Sequence, residues 1–166
     1  MKKIKVLTVF ILLLLLASCM DSSKLSPEVD QFCQDLSVLS YRITTFSSNL
    51  ANVNTSRTVE GGPYKRLIAR NCKSGVCEIV ADERNPILKY EPNHPDANKN
   101  GYVAYPLIYV DEEKRDQIFW ERAYDTVWSN APVGKDFFLR DPRAELCFQK
   151  YPILKNDFNF KEYLGR

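Results

Sequence analysis

Val29, Phe32, Leu36, Leu39, Ile43, Phe46, Leu50 and Val53 follow one another at intervals of 3, 4, 3, 4, 3, 4 and 3. No strand satisfies that period, and a helix carrying so narrow an apolar stripe cannot bury it alone. The stripe predicts a coiled-coil-type helix from about residue 27 to 51, roughly 35 Å long at about 1.5 Å per residue. Ser26 suits the N-cap and Pro27 the first helical turn. Asn52-Val53-Asn54-Thr55-Ser56 supplies turn formers that end it. Such a helix needs a partner helix, in its own chain or in another.

Asp111 to Ser129 reads as a second helix. Asp111 can cap it, Glu112 and Glu113 suit its positive N-terminal end, and Phe119, Trp120, Ala123, Tyr124, Val127 and Trp128 share a broad face. Between the helices, Tyr64–Asn71, Val76–Asp82, Pro86–Tyr90 and Tyr102–Val110 are rich in β-branched and aromatic residues and separated by Gly, Pro and Asn clusters, the pattern of strands. The expected fold is α+β. Two long amphipathic helices pack antiparallel as a coiled coil and bracket a small antiparallel β module distal to the chain termini, with a short C-terminal helix and a tail. That short helix begins at Asp141-Pro142, and the tail carries Tyr151, Phe158, Phe160 and Tyr163. With 166 residues, 45% of them hydrophobic, the chain holds about one compact unit. The expected division is 1–18, 19–27, 28–131 and 132–166.

The first of these segments is an address. Lys2, Lys3 and Lys5 precede an apolar run from Val6 to Leu16, which reads as a secretory leader too short to serve as a comfortable membrane span. Leu16-Ala17-Ser18-Cys19 resembles the lipobox of bacterial lipoproteins, so Cys19 is the expected lipidation site and residues 19–27 a tether. Met20 rather than Asp follows the cysteine, which leans toward the periplasmic face of the outer membrane. Export into an oxidising compartment leaves Cys33, Cys72, Cys77 and Cys147, an even set with three possible pairings. Cys72 and Cys77 flank Lys73-Ser74-Gly75-Val76, a hairpin-like connector, which favours Cys72 with Cys77 and leaves Cys33 for Cys147. The competing reading is four buried thiols.

Little in the chain points to chemistry. The 23 basic residues lose three with the leader, leaving 20 against 21 acidic ones, so nucleic acid is not an expected partner. A single histidine, His94, argues against a multi-histidine metal site or a hydrolytic triad. Asp96-Ala97-Asn98-Lys99-Asn100-Gly101 opens like a calcium loop, but the closing glutamate position is Leu107, so a polar turn is expected. Glu112, Glu113, Asp116 and Glu121 read as helix-surface charges. No enzyme, cofactor or metal is expected.

Two longer blocks carry a resemblance. Ser47-Ser48-Asn49-Leu50-Ala51-Asn52-Val53-Asn54-Thr55 leads into Arg57-Thr58 and Glu60-Gly61-Gly62-Pro63-Tyr64-Lys65-Arg66. Tyr90-Glu91-Pro92-Asn93-His94-Pro95-Asp96 continues through Gly101-Tyr102-Val103-Ala104-Tyr105-Pro106 to Val110-Asp111-Glu112-Glu113 and Glu121-Arg122-Ala123-Tyr124-Asp125. In this order they resemble the flagellar basal-body rod proteins, specifically the proximal rod protein C family, from about residue 36 to 129. The resemblance implies terminal helices in a coiled coil, packing of subunits into a helical tube, a small β domain and no active site. The heptad stripe and the apolar face of the second helix give the helix-pair seam: Phe32, Leu36, Leu39, Ile43, Phe46, Leu50, Trp120, Tyr124 and Val127. The resemblance also implies a subunit-contact loop containing Asn49, Asn52, Asn54, Arg57, Gly61, Gly62, Pro63 and Tyr64.

The leader with Cys19, the proline-broken C-terminal region and the paired cysteines depart from that family's pattern. The expectation is therefore a structural, non-enzymatic flagellar basal-body-associated lipoprotein. It would contact rod or ring proteins, with homo-oligomers possible, and contribute to a ring or scaffold and so to motility. The alternative is a membrane-tethered periplasmic protein-binding module that kept the fold without a flagellar role.

Overall fold

The computed structural model describes residues 24–134 and 136–156. The leader, Cys19 and the tail aromatics Phe158, Phe160 and Tyr163 lie outside the described residues. Helix α1 spans Pro27–Ala51. The Ser26 hydroxyl accepts the Val29 amide at 3.4 Å, Pro27 fills the first turn, and Glu28 and Asp30 face the positive end of the helix. At the other end the side-chain amide of Asn52 donates to the Ser48 carbonyl at 2.9 Å, satisfying one of the terminal acceptors.

Helix α2 spans Val110–Ser129 and runs antiparallel to α1. Phe32 meets Trp128 at one end (ring centroids 5.8 Å), the Arg42 guanidinium lies over Trp120 in the middle (4.4 Å), and Asn49 bonds Glu113 at the other end (2.9 Å). Asp111 is not the cap. The helix begins after Tyr109 without a side-chain cap, and Asp111 sits inside the first turn with Glu112 and Glu113.

Strands β1 (Leu67–Lys73) and β2 (Val76–Ala81) form one antiparallel ladder, and β3 (Ile87–Tyr90) and β4 (Tyr102–Tyr105) form another. These are two separate hairpins rather than one β module. Leu67 pairs with Ala81 and Ile87 with Tyr105, and a bulge interrupts β1 between Arg70 and Lys73. Strand β4 stops before Pro106, which has no amide proton to continue a ladder. The β1–β2 hairpin does not project from the distal end of the helical pair. It lies back along α1, with Leu67 bonded to Asn49 and the turn residue Gly75 accepting the Ser37 hydroxyl.

Three short helices follow the pair where the sequence predicts one: α3 (Phe137–Arg140), α4 (Arg143–Lys150) and α5 (Ile153–Asn156). The Asp141 carboxylate accepts the Arg143 amide at 2.9 Å and its guanidinium at 2.6 Å, which starts α4 after Pro142. Phe138 sits at the centre of an aromatic cluster. It stacks on Trp128 (5.6 Å) and touches Phe32, Phe137 and Phe148. Residues 137–156 thus share one core with α1 and α2.

This arrangement decides which part of the heptad stripe is buried. In the N-terminal half of α1, the extension, the hairpin tip and α2 all press on the helix. Val29, Phe32, Leu36 and Leu39 are buried there together with Cys33, Ser37 and Ser40. Beyond the reach of the extension, the buried positions become Thr45 and Asn49, and Ile43, Phe46, Leu50 and Val53 are only half-buried. On α2, Tyr124 is buried while Trp120 and Val127 are packed at the margin.

Candidate functional site

Among the described residues, the best-defined polar site is where α1 ends, β1 begins and α2 begins. Asn49 is 0% exposed there and uses both ends of its side-chain amide. Its oxygen accepts the Leu67 amide at 2.8 Å, and its nitrogen donates to the Leu67 carbonyl at 2.9 Å. The side chain therefore pairs with Leu67 as a neighbouring strand residue would, and fixes where β1 starts against the helix. The same nitrogen donates to Glu113 Oε2 at 2.9 Å, and the same oxygen accepts the Tyr64 hydroxyl at 3.1 Å.

Glu113 is 2% exposed, so it is not the helix-surface charge expected of a glutamate there. A carboxylate so deeply placed needs a cation, and the Arg66 Nε donates to its second oxygen. Arg66 also lies 3.9 Å from Asp82, which Arg84 holds at 2.6 Å. Asp82 is pulled below the usual carboxylate range, first by the Arg84 hydrogen bond. The Tyr64 hydroxyl is pushed up by burial, with the Glu113 charge adding to the effect. Each of these charges faces an opposite one. The arrangement holds three elements at a fixed angle and leaves its acids and bases occupied.

The loop from 52 to 66 is built outward from this node. The Tyr64 amide donates to the Thr55 carbonyl at 3.0 Å and closes the base, and the Thr58 amide donates to Gly62 at 2.8 Å and closes the tip. Gly61 (φ 90°) and Gly62 (φ 72°) take left-handed conformations that suit glycine at the reversal. Asp96 of the β3–β4 connection accepts the Ser56 hydroxyl at 2.8 Å and pairs with Arg57 at 3.1 Å. The result is a braced projection with fully exposed Val59 at its tip, beside exposed Glu60, Gly61 and Gly62.

The predicted site residues therefore separate. Asn52 caps α1, Arg57 braces the loop, and Gly61 and Gly62 form its tip with Pro63 beneath. Asn54 is exposed at the start of the loop, whereas Asn49 and Tyr64 point inward to the node. Asn49 has no surface to offer a neighbouring subunit. The segment from Asp96 to Gly101 is a turn: Asn98 Oδ1 accepts the Asn100 amide at 2.9 Å and the Tyr102 amide at 3.0 Å, and Asp96 is engaged elsewhere. His94 accepts the Asp96 amide at 3.1 Å in that connection. Cys33 is bonded to Cys147, and Cys72 to Cys77. Among the described residues, no group of three or more His, Cys, Asp or Glu is placed to hold a metal ion.

Glu113, Arg66 and Leu67 are the members of the node that sequence reasoning missed. A signal was present for Glu113: it precedes Trp120 by seven residues and Tyr124 by eleven, so it shares their inward face.

No protein-family model matches the chain. Curated proteins do. The flagellar basal-body rod protein FlgC of Borreliella burgdorferi is 34% identical over 111 residues, covering 51% of this chain and 73% of that protein. FlgC of Aquifex aeolicus is 29% identical over 115 residues, covering 60% and 81%. FlgC of Bacillus subtilis is 30% identical over 110 residues, covering 51% and 73%. With an identity above three in ten across nearly three quarters of the Borreliella rod protein, this chain belongs to the flagellar basal-body rod protein FlgC family.

Proposed function

We propose that this chain is a structural, non-enzymatic component of the flagellar basal body, held in the periplasm by a lipid on Cys19 and docked on rod or ring proteins as part of a collar or scaffold. Membership of the rod-protein family is the observation that carries the reading. The geometry supports it. The loop from 52 to 66 is braced at its base by Tyr64 and at its flank by Asp96, and presents Val59 without needing to reorganise on contact. Preorganised projections of this kind suit repeated docking in an assembly.

The leader and lipobox support membrane tethering. Residues 1–18 are the segment removed, 19–27 the tether, and the outer membrane's periplasmic face the favoured location. Among the described residues, no helix is long and apolar enough to cross a membrane. The extension from 137 to 156, covalently closed onto α1 through Cys33 and Cys147, favours a periphery role over a place within a continuous helical tube. It occupies the N-terminal half of the helix whose stripe would otherwise seek a partner.

The test is basal-body purification from cells with and without the gene, combined with swimming assays. Association with basal bodies and impaired motility are expected; normal swimming and absence from purified basal bodies contradict the proposal. A second reading, a tethered periplasmic binding module, draws support from the exposed outer face of the β3–β4 hairpin, where Leu88, Tyr90 and Tyr102 stand uncovered. Cross-linked partners that include no flagellar component would favour it.

A further inference from the structure

The two disulfides sit at different depths, and a single tyrosine connects them. Cys33 and Cys147 are each 0% exposed, inside the contact between α1 and α4. Among the described residues, half-buried Cys72 is the one bonded cysteine that is not buried. The bridge between Cys72 and Cys77 closes a ring around Lys73, Ser74, Gly75 and Val76, in which Ser74 (φ 49°) and Gly75 (φ 79°) both adopt left-handed backbone. That is the geometry of a tight two-residue hairpin turn, and Ser74 is not a residue that favours it. The bridge holds Ser74 there.

Gly75 is buried because Tyr151 lies on it. A Cβ at Gly75 would overlap the Tyr151 ring and crowd Gln34. The turn is fixed to α1 by the Ser37 hydroxyl on the Gly75 carbonyl, and Tyr151 is fixed by its own hydroxyl, which donates to Asp30 at 3.0 Å. Tyr151 caps α4 and lies four residues beyond Cys147. The bridged turn is thus the seat of Tyr151, and Tyr151 holds down the helix that covers the inner disulfide.

We propose that the two bridges form a sequential redox lock, in which Cys72–Cys77 must open before Cys33–Cys147 can be reduced and the C-terminal extension released. The reductant is a dithiol. Its first thiolate attacks the half-buried Cys72 sulfur, the more accessible of the pair, the Cys72–Cys77 bond breaks, and Cys77 leaves as a thiolate that takes up a proton. The second thiol of the reductant displaces Cys72, so two electrons pass to the protein and the reductant becomes a disulfide. The freed turn relaxes at Ser74 and Gly75, Tyr151 loses its seat, and α4 opens often enough to admit the same exchange at Cys33–Cys147. Opening the inner bridge frees residues 137–156 from covalent attachment to α1.

The experiment is graded reduction of the full exported chain with dithiothreitol, quenched by alkylation and read by peptide mass spectrometry for each bridge separately. Wild type should show Cys72–Cys77 reduced first and Cys33–Cys147 after a lag. Gly75→Ala, which unseats Tyr151 without touching a cysteine, should raise the inner-bridge rate by roughly tenfold or more and abolish the lag. Tyr151→Phe keeps the ring and loses only the bond to Asp30, so it should fold and give a smaller increase in the same direction. Circular dichroism of the oxidised variants confirms that each is folded before reduction. Inner-bridge reduction that precedes the outer one, or that proceeds at one rate in wild type, Gly75→Ala and Tyr151→Phe, overturns the proposal.

Discussion

Replacing Asn49 with alanine is the sharpest perturbation of the frame on which the loop is built. Asn49 serves the Leu67 amide at 2.8 Å, the Leu67 carbonyl at 2.9 Å, Glu113 at 2.9 Å and the Tyr64 hydroxyl at 3.1 Å from a position with no exposure. Alanine leaves both backbone groups of Leu67 without a partner at the start of β1. Each such group costs about 1–3 kcal/mol, whereas Glu113 retains Arg66 and half-buried Tyr64 can turn toward water. The expected loss is about 4 kcal/mol, a large fraction of the stability of a domain this size. Urea unfolding followed by the fluorescence of Trp120 and Trp128, with both disulfides oxidised, reads it as a midpoint lowered by about 2 M at an m-value of about 2 kcal/mol/M. Asn49→Asp sharpens the comparison. It keeps the shape and the acceptor but loses the donor to the Leu67 carbonyl and sets a carboxylate against Glu113, so its loss should be at least as large at pH 7. A cost below about 1 kcal/mol for Asn49→Ala would mean that the node does not clamp the three elements.

Four further outcomes follow from the same structure. Serine at both Cys33 and Cys147 should cost about 5 kcal/mol and serine at both Cys72 and Cys77 about 2 kcal/mol, because the first ring spans 114 residues of separation and the second 5; equal losses in urea titrations would contradict the loop-closure argument. The Arg143 hydrogen bonds hold the Asp141 carboxyl at about 2, below its ordinary 3.8, so its contribution to the start of α4 is complete above the ordinary value and disappears as pH falls toward 2; a carbon-13 titration of Asp141 with a midpoint near 3.8 would refute it. Val59→Glu should leave the melting temperature nearly unchanged, since the side chain is fully exposed, yet weaken basal-body association in pull-downs; unaltered association would remove the loop tip from the interface. Cys19→Ala should leave labelled palmitate unincorporated and shift the protein from the membrane to the soluble periplasmic fraction, and persistent labelling would place the acyl group elsewhere.

The sequence made α1 legible because three independent signals agree there: the heptad stripe, the Ser26 cap and the Asn52 stop. The same stripe could not say what covers it. Periodicity reports that a face is apolar but not whether a helix, a hairpin tip or a C-terminal extension lies against it, so the burial of Thr45 and Asn49 past residue 40 was hidden. Charge alone points Glu113 to the surface, whereas its spacing from Trp120 and Tyr124 turns it inward. The direction of the β1–β2 hairpin was likewise beyond local reading. It is set by one side-chain amide on Leu67 and one hydroxyl on Gly75, contacts separated by 18 and 38 residues in sequence. Asp111 lost its capping role for a local reason: the helix starts one residue earlier, at Val110. In the extension, Asp141-Pro142 revealed α4, while the single turns α3 and α5 are too short to leave a periodic trace.

Electron cryotomography of flagellar motors in intact cells, averaged from strains with and without the gene, tests the central claim most directly. A structural periplasmic component leaves a symmetric density beside the rod that vanishes in the deletion strain and returns with the wild-type gene. Superimposable averages from the two strains would contradict a place for this chain in the basal body.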